Sequence, residues 1–402
     1  MNKTAIAVAV AGALAAPGYA LAQSSTVQIG GSLHLIYGIS DTTAPGGTAY
    51  KHDNMHQSEP EIYVRGEEAL GGGLAAWFQC ASSFDVVGTT AQSGSAGFCG
   101  RNSGIGFKGS WGNLFAGTWD TPHKLIFNQV RGWFSGTNVY GGGATLLFGG
   151  SQSNVGNGAY LSAGGANVMG YRRQSRSLSY HSPSWSGFSF QGMMSAQNEG
   201  SVAPPATTAG PLQPRLYSGN IAYNNGPIFA ALAYEQHKDF NPGAQGTAGL
   251  AASYLGGTDS GWLLAGGYTF GGVFKLTAAY AKNEWDITSS TGKKVESKGY
   301  AVYGDWQISG PHSLKAEYVK AKSPTGTIGS SAGPFGVTAA SNSGAKVYGI
   351  DYAYDFSKRT QGYLGYAQMK NDSGTGSFTQ GINAASVGTS QKFYGMGLRH
   401  RF

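Results

Sequence analysis

The sequence has little charge, almost no cysteine and, beyond its first residues, no long apolar run. Only 12% of its 402 residues are charged, and the two cysteines are Cys80 and Cys99. No cluster of cysteine with histidine has the spacing of a structural zinc site, so we expect no metal or other cofactor. No stretch after the N-terminal residues reaches the ~18 apolar residues of a membrane helix. No helical period of any length is present, which leaves a fold built from strands.

The N-terminal residues have the pattern of an export signal. Lys3 supplies a positive charge, residues 6–16 are apolar, and a small-x-small Ala-Leu-Ala motif ends at residue 22. We expect residues 1–22 to be cleaved and residues 23–402 to form one domain. A membrane-anchoring helix is the alternative, but the apolar run is too short for one.

The rest of the chain alternates apolar and polar residues. Phe274, Leu276 and Tyr280 fall on one face of a strand, and Lys275 and Thr277 fall on the other. A soluble sandwich and a membrane barrel share this alternation. The 66 glycines and the 23 Tyr, 19 Phe and 8 Trp favour the barrel, because aromatic residues form girdles at the membrane interfaces.

The connections between these strands come in two alternating lengths. Tight turns are predicted at 70–73, 110–113, 183–187, 224–227, 270–272, 309–312 and 357–359. Long loops are predicted at 41–58, 85–98, 120–170, 198–213, 239–260, 285–295, 322–344 and 371–390. Seven short and eight long connections join sixteen strands, with the long loops outside the cell. The predicted fold is an all-β, sixteen-stranded antiparallel transmembrane barrel.

Several motifs resemble the Gram-negative trimeric porins of the β-proteobacterial type. They are RGEEALGGGLAAWFQ (65–79), IGFKGSWGNLFAGTWDTP (105–122), SRSLSYHSPSWSGFSF (175–190), GPHSLKAEY (310–318), DYAYDFSKRT (351–360) and GLRHRF (397–402). The resemblance implies a homotrimer in the outer membrane, in contact with its lipids and lipopolysaccharide. It also implies that the third long loop folds into the pore, and that Phe402 belongs to the signal read by the barrel-assembly machinery. A simple girdle aromatic is the other, compatible interpretation of Phe402.

The third loop opens a stretch of unusual charge. No carboxylate lies between Asp120 and Glu199, yet Lys124, Arg131 and Arg173 do, and the formal net charge is +7. Rings of arginine and lysine in a pore favour anions, so small anionic solutes are the expected partners. A nucleic-acid patch is the alternative, but these loops are rich in glycine and serine rather than lysine.

Alternation and the resemblance together point to particular lumen cations. Ile62 and Val64 face lipid, which places Arg65 inward, and counting from Leu178 places Arg173 inward if no bulge intervenes. Lys124 and Arg131 on the third loop are the next candidates. A solvated or headgroup-facing charge is the alternative for each. We predict that Arg173→Glu weakens the anion preference.

One position departs from the family pattern. Gly117-Thr118-Trp119 stands where members commonly have Gly-Arg-Gln, so an expected pore arginine is missing. Trp119, Trp133 and Phe134 offer stacking surfaces, and a channel that prefers small aromatic anions is therefore an alternative function.

The sequence leaves two possible states for its cysteines and disfavours two other functions, those of a barrel enzyme and of a secreted adhesin. In an oxidising compartment Cys80 and Cys99 form a disulfide or remain as two buried or lipid-facing thiols. A barrel enzyme is disfavoured because His181 and Ser182 point to opposite faces of a strand and no nucleophile elbow is present. A secreted adhesin is disfavoured because neither repeats nor a polar C-terminus appear. The expected function is a water-filled, anion-preferring diffusion channel without enzymatic activity.

Overall fold

A computed structural model describes most of the predicted barrel. The described residues are 26–43, 49–58, 60–87, 98–131, 169–196, 215–240, 257–287, 293–326, 342, 344–373 and 388–402. The predicted signal peptide lies outside them, so its cleavage after residue 22 stays a prediction.

Within these residues the chain forms eighteen strand segments and one helix. They are β1 (Thr26–Thr43), β2 (Ala49–Gln57), β3 (Glu61–Gly71), β4 (Leu74–Ser82), β5 (Ser103–Gly109), β6 (Gly112–Asp120), α1 (Pro122–Arg131), β7 (Arg173–His181), β8 (Phe188–Ser195), β9 (Arg215–Asn225), β10 (Ile228–Phe240), β11 (Gly257–Phe270), β12 (Phe274–Ile287), β13 (Lys293–Ser309), β14 (His312–Ala321), β15 (Thr325–Gly326), β16 (Ala345–Asp355), β17 (Thr360–Asn371) and β18 (Ser390–Arg401).

The eighteen segments occupy sixteen strand positions, here called staves, in a closed antiparallel barrel. The two halves of β1 pair with β2 and β3, which therefore form one stave, interrupted near Pro60. Proline cannot donate a ladder hydrogen bond, so an interruption there is expected. The short β15 continues β14 along β13. Because β18 pairs with β1 from Ser32 to Thr43, the sheet has no open edge, and the predicted sixteen-stranded barrel is confirmed.

The apolar face of this barrel points outward. On β11, Leu264 is 58% exposed, whereas Leu263 and Ala265 beside it are buried. The inward positions also hold polar side chains, such as Asn283 on β12 and Asp351 on β16. A soluble sandwich would bury its apolar face instead, so the exposed apolar band is that of a membrane barrel.

The seven predicted tight turns are all present, and several of the predicted loops are too long. Glycines at positive φ, among them Gly72, Gly226 and Gly272, make the tight turns, where an L side chain would be strained. The predicted loop 41–58 is wrong because it contains β2, and the predicted loop 285–295 contains the ends of β12 and β13. In β2, whose sequence is AYKHDNMHQ, most residues of both faces are polar, which removes the alternation that reveals a strand.

The predicted absence of helix is also wrong, because α1 occupies the first part of the third long connection. In the part of the chain that the structure describes, no helix has the length and hydropathy needed to cross a membrane.

Cys80 and Cys99 are joined in a disulfide with their Cα atoms 4.6 Å apart. The bond connects β4 with the segment that leads into β5. Cys80 lies opposite Val64, on the outward face of the sheet.

Candidate pore lining

Helix α1 begins at a local capping sequence. Thr121 precedes Pro122, the first helical residue, where a missing N–H costs nothing. The Thr121 carbonyl accepts the first helical hydrogen bond from the Leu125 amide at 3.0 Å. The Thr121 hydroxyl lies 3.4 Å from the Lys124 amide, as in a helix N-cap.

One face of α1 is apolar and packs against the inside of the barrel wall. Ile126, Phe127 and Val130 are buried, and burial of such side chains stabilises by roughly 2 kcal/mol each. The wall opposite them presents small side chains, which leave room for a helix: Ala222, Ala231, Ala233, Ala265 and Ala279.

Polar side chains of the same wall bind the backbone of α1. The Thr277 hydroxyl donates to the Val130 carbonyl at 2.7 Å, and the Asn220 amide donates to the Pro122 carbonyl at 2.7 Å. Both wall residues are buried on the inward face. The helix therefore lies inside the barrel against β8 to β12. Residues 132–168 lie outside the described residues, so narrowing of the pore by the whole loop stays a prediction.

The returning end of the long connection is fastened to its beginning. The Gly170 amide donates to Glu235 Oε1 at 3.1 Å, and the Gly170 carbonyl lies 3.0 Å from His123 Nδ1. Burial lowers the pKa of the His123 imidazole, so the neutral ring donates its Nδ1–H to that carbonyl. The Thr121 amide donates to the Arg172 carbonyl at 3.2 Å. The two ends of the connection and the wall thus form one anchored unit.

Asp120 pairs with two of the four cations that the sequence assigns to the pore, so one carboxylate offsets one of their two positive charges. Its Oδ1 lies 2.7 Å from Lys124 Nζ and 3.2 Å from Arg173 Nη2. Arg173 also donates from Nε to Asn102 Oδ1 at 2.6 Å. Asp120 stands at the very start of the carboxylate-free stretch, four residues before Lys124, and this spacing was the available sequence signal.

A bulge interrupts the strand alternation that led to Arg173. Ser177 pairs with Gly117 but Gln174 pairs with Trp119, so β7 holds one extra residue there. Arg176 within the bulge has φ +51°. Alternation counted from Leu178 therefore cannot place Arg173, and its role in the lumen stays a prediction.

The two predicted cations of α1 both lie close to one aromatic ring, that of Tyr171. Lys124 Nζ is 4.7 Å from the centroid of the Tyr171 ring, and the Arg131 guanidinium carbon is 5.9 Å from it. Arg131 also lies 5.4 Å from the ring centroid of Phe127. These cation–π contacts help to fix the helix beside the returning chain.

Arg65 differs from the other three cations. It is exposed on the inward face of β3, where its neighbours across the sheet are Gln28 and Gln79. Its Nε donates to Gln28 Oε1 at 2.9 Å, and its guanidinium carbon lies 5.2 Å from the Tyr63 ring centroid. Both are neutral groups, so the charge of Arg65 is not cancelled by them.

An aromatic cluster lies beside Arg65. Trp77 and Trp119 have ring centroids 5.8 Å apart, and Phe115 lies 5.0 Å from Trp119. Both tryptophans line a cavity of about 460 Å³ together with Arg65 and Lys108. Trp133 and Phe134, the other predicted stacking residues, lie outside the described residues.

Phe402 is held in the seam of the barrel. Its amide donates to the Gly31 carbonyl at 3.1 Å, and its carbonyl accepts from the Gly31 amide at 3.0 Å. Its ring remains 45% exposed. Its part in an assembly signal stays a prediction.

A closed barrel of sixteen staves, apolar outside and charged inside, defines the class of outer-membrane channel proteins. Comparison with known families agrees, since the model of the Gram-negative porin family matches residues 5–374. The chain belongs to the Gram-negative porin family, and its place is the outer membrane.

Relatives and solved structures of this kind come from several bacteria. An outer membrane porin protein of Bordetella pertussis is 28% identical, over 84% of this chain and 81% of its own. Outer membrane porin protein 32 of Delftia acidovorans is 27% identical over the full length of both chains. The solved structure of an anion-selective porin from Comamonas acidovorans has a TM-score of 0.67 at 20% identity, covering 94% of this chain and 100% of its own, and shares the fold.

Proposed function

We propose that the protein is a water-filled diffusion channel that admits small hydrophilic solutes and prefers anions. Membership in the porin family supports the channel. The observation that carries the anion preference is the exposed guanidinium of Arg65 on the lumen wall. The distant relative from Comamonas acidovorans is described as anion-selective, which agrees with the proposal.

The charges near Arg65 leave a positive balance. Glu67 and Lys108 lie in the same cavity and pair with each other at 2.5 Å, so their charges cancel. Arg65 keeps its charge, whereas Lys124 and Arg173 share the carboxylate of Asp120. A fixed positive charge in a narrow, low-dielectric channel concentrates anions and raises their rate of entry.

The first test is the zero-current potential of the purified protein in a planar bilayer under a KCl gradient. We expect the sign given by chloride permeation. A unit charge ~6 Å from a passing ion contributes about 0.7 kcal/mol in water-like surroundings, favourable for chloride and unfavourable for potassium, so Arg65→Gln is expected to lower the chloride-to-potassium permeability ratio about tenfold.

The control is Lys358→Gln, an exposed lysine in the tight turn after β16, which should leave the ratio unchanged. A cation-selective potential, or an Arg65→Gln channel with the wild-type ratio, contradicts the anion site. Absence of stepwise conductance contradicts the channel itself.

Preference for small aromatic anions is a second candidate function, favoured by Trp77 and Trp119 in the cavity of Arg65. An aromatic contact contributes about 0.5–1.5 kcal/mol beyond area burial. We therefore expect benzoate to block chloride current at a concentration two- to tenfold lower than cyclohexanecarboxylate, and Trp77→Leu to remove the difference. Trp185→Leu, an outward-facing control, should keep it. Equal block of the wild-type channel by both solutes would contradict this candidate.

Assembly is part of the same proposal. We infer that three copies associate, since a solved porin-fold structure, the OmpT protein of Vibrio cholerae, is described in a trimer form. The barrel-assembly machinery is the partner that would recognise Phe402, and the surrounding lipids are those of the outer membrane. No cofactor and no enzymatic step enter the proposal.

A further inference from the structure

A row of lysines crosses the outside of the barrel at the end that carries the long connections, which is the extracellular end in this architecture. We call Lys298, Lys320, Lys346, Lys370 and Lys392, on strands β13 to β18, the lysine row. Each occupies an outward position, since a neighbour in the chain is buried on the lumen side: Ser297, Val319, Val347, Met369 and Phe393.

The strand register brings these lysines side by side. Lys320 lies directly opposite Lys346, and Lys346 lies directly opposite Lys370. Directly opposite side chains have Cβ atoms ~5 Å apart, and like charges in such pairs are destabilising. Three positive charges in adjacent staves therefore need a counter-charge from somewhere.

The described chain does not supply one to the centre of the row. At the β13 end, Lys298 pairs with Glu296, and Lys282 lies 2.9 Å from the same residue. Among the described residues, no ion pair reaches Lys320, Lys346 or Lys370. The nearest carboxylate on this face of β17 is the exposed Asp372, two positions beyond Lys370.

A belt of tyrosines fixes the depth of the lysine row. Tyr300, Tyr318, Tyr348 and Tyr394 each stand two residues from a row lysine, on the same outward face and toward the middle of the barrel. Aromatic girdles lie where the apolar membrane core meets the headgroups. The lysine row therefore lies at the level of the headgroups, above a wall that contacts acyl chains.

We propose that the lysine row binds the phosphate groups of lipopolysaccharide, the phosphorylated glycolipid of the outer leaflet. Its doubly charged phosphates match three ammonium groups on adjacent strands, whose Cβ atoms are ~5 Å apart, and its acyl chains fit the apolar wall below. A second copy related by a twofold axis is a poorer occupant, because it would bring its own lysines toward the same positive face. The inference concerns the outside of the barrel and is independent of the proposed anion preference of the lumen.

The test uses the full mature chain, refolded in detergent without lipopolysaccharide and titrated with bisphosphorylated lipid A by native mass spectrometry. A lysine near anionic headgroups contributes roughly fivefold to binding, so Lys346→Gln/Lys370→Gln is expected to bind about 25-fold more weakly. Each single variant should lose about fivefold. Lipid A without phosphates loses the attraction of all three central lysines and should bind wild-type protein about 125-fold more weakly than bisphosphorylated lipid A.

The matched control removes two exposed charges at the other end of the barrel, Lys358→Gln/Arg359→Gln, and should bind lipid A within twofold of wild type. Wild-type affinity in the double variant at the row overturns the proposal. So does binding of phosphatidylglycerol or inorganic phosphate as tightly as lipid A, which would make the row a general anion surface. Heat-modifiable gel migration verifies that each variant is folded, and the single variants carry the test if the double variant is not. An unchanged zero-current potential in the double variant keeps this outcome separate from the channel proposal.

Discussion

Two sides of the same lumen use their positive charges differently. On the side of β8 to β12, small alanines leave space for helix α1, and the cations Lys124 and Arg173 are bound to Asp120, which ends β6 just before the helix begins. On the side of β1 to β6, no helix covers the described wall, and Arg65 is exposed beside neutral partners. Cations on the first side hold structure together, whereas the cation on the second side remains available to solutes.

The difference shows that a count of the positive charges in the loop overstates the electrostatic potential that acts on a passing ion. A buried ion pair has little field outside itself, while an exposed charge without a counter-ion keeps most of its own. Single substitutions can change the counter-ion or the anchoring of the covered side, and so make it more or less similar to the open side.

The largest effect is expected from Asp120→Asn, which removes the carboxylate shared by Lys124 and Arg173. Breaking a buried ion pair by removing one partner costs about 3–5 kcal/mol, because a buried charge loses its counter-ion. We expect a lower midpoint of thermal unfolding in detergent and a stronger anion preference in the KCl gradient, so that the covered side comes to resemble the open side.

Asp305→Asn is its control, since Asp305 is 41% exposed and its partner Lys315 also lies opposite Asp351. The control should change stability by less than a third of the effect of Asp120→Asn. Equal effects of both substitutions would contradict the special role of Asp120.

A smaller effect is expected from Gly170→Ala, which acts on the fastening of the covered side. Gly170 has φ +79°, and an added Cβ would lie 2.4 Å from His123 Cε1. Strain and overpacking of this kind cost about 1–3 kcal/mol. We expect noisier single-channel currents, because the returning chain no longer holds α1 through His123, with little change in ion selectivity.

Gly226→Ala separates strain from crowding in that experiment. Gly226 also has a positive φ, +53°, but no atom lies within 4 Å of its added Cβ. Quiet currents in both variants would mean that the contact between Gly170 and His123 does not steady the helix.

Most of the barrel could be predicted from the sequence, because the facing of a strand residue and the position of a tight turn depend on residues that are close in the chain. Alternation of residues such as Leu276 and Thr277 reports directly on which face meets lipid, and glycines such as Gly272 mark the turns. Where both faces of a strand are hydrated, as in β2, this signal vanishes. The predicted loop over residues 41–58 was wrong for that reason.

The ion-pair partners of the lumen cations were harder to predict than the strands. The partner of Lys124 was visible four residues away, but Arg173 reaches Asp120 only through the pairing of β6 with β7. The bulge at Arg176 changes the facing of everything beyond it, and no local rule places such a bulge. Helix α1 was missed because its apolar face is complementary to a wall contributed by strands much later in the chain, such as the one that holds Thr277, 147 residues after Val130.

The seam between β1 and β18 has a consequence for how the protein is made. The residues that close it, such as Ile36 opposite Gly397, are 361 positions apart in sequence, and the ring of Phe393 packs over Gly38 and Gly395 there. Contacts between distant parts of a chain form slowly, because the ends must first find each other. Until they do, two unpaired strand edges face the membrane and invite pairing with other chains. During assembly, closure of the barrel therefore competes with aggregation. The rate at which β18 pairs with β1 determines which of the two prevails.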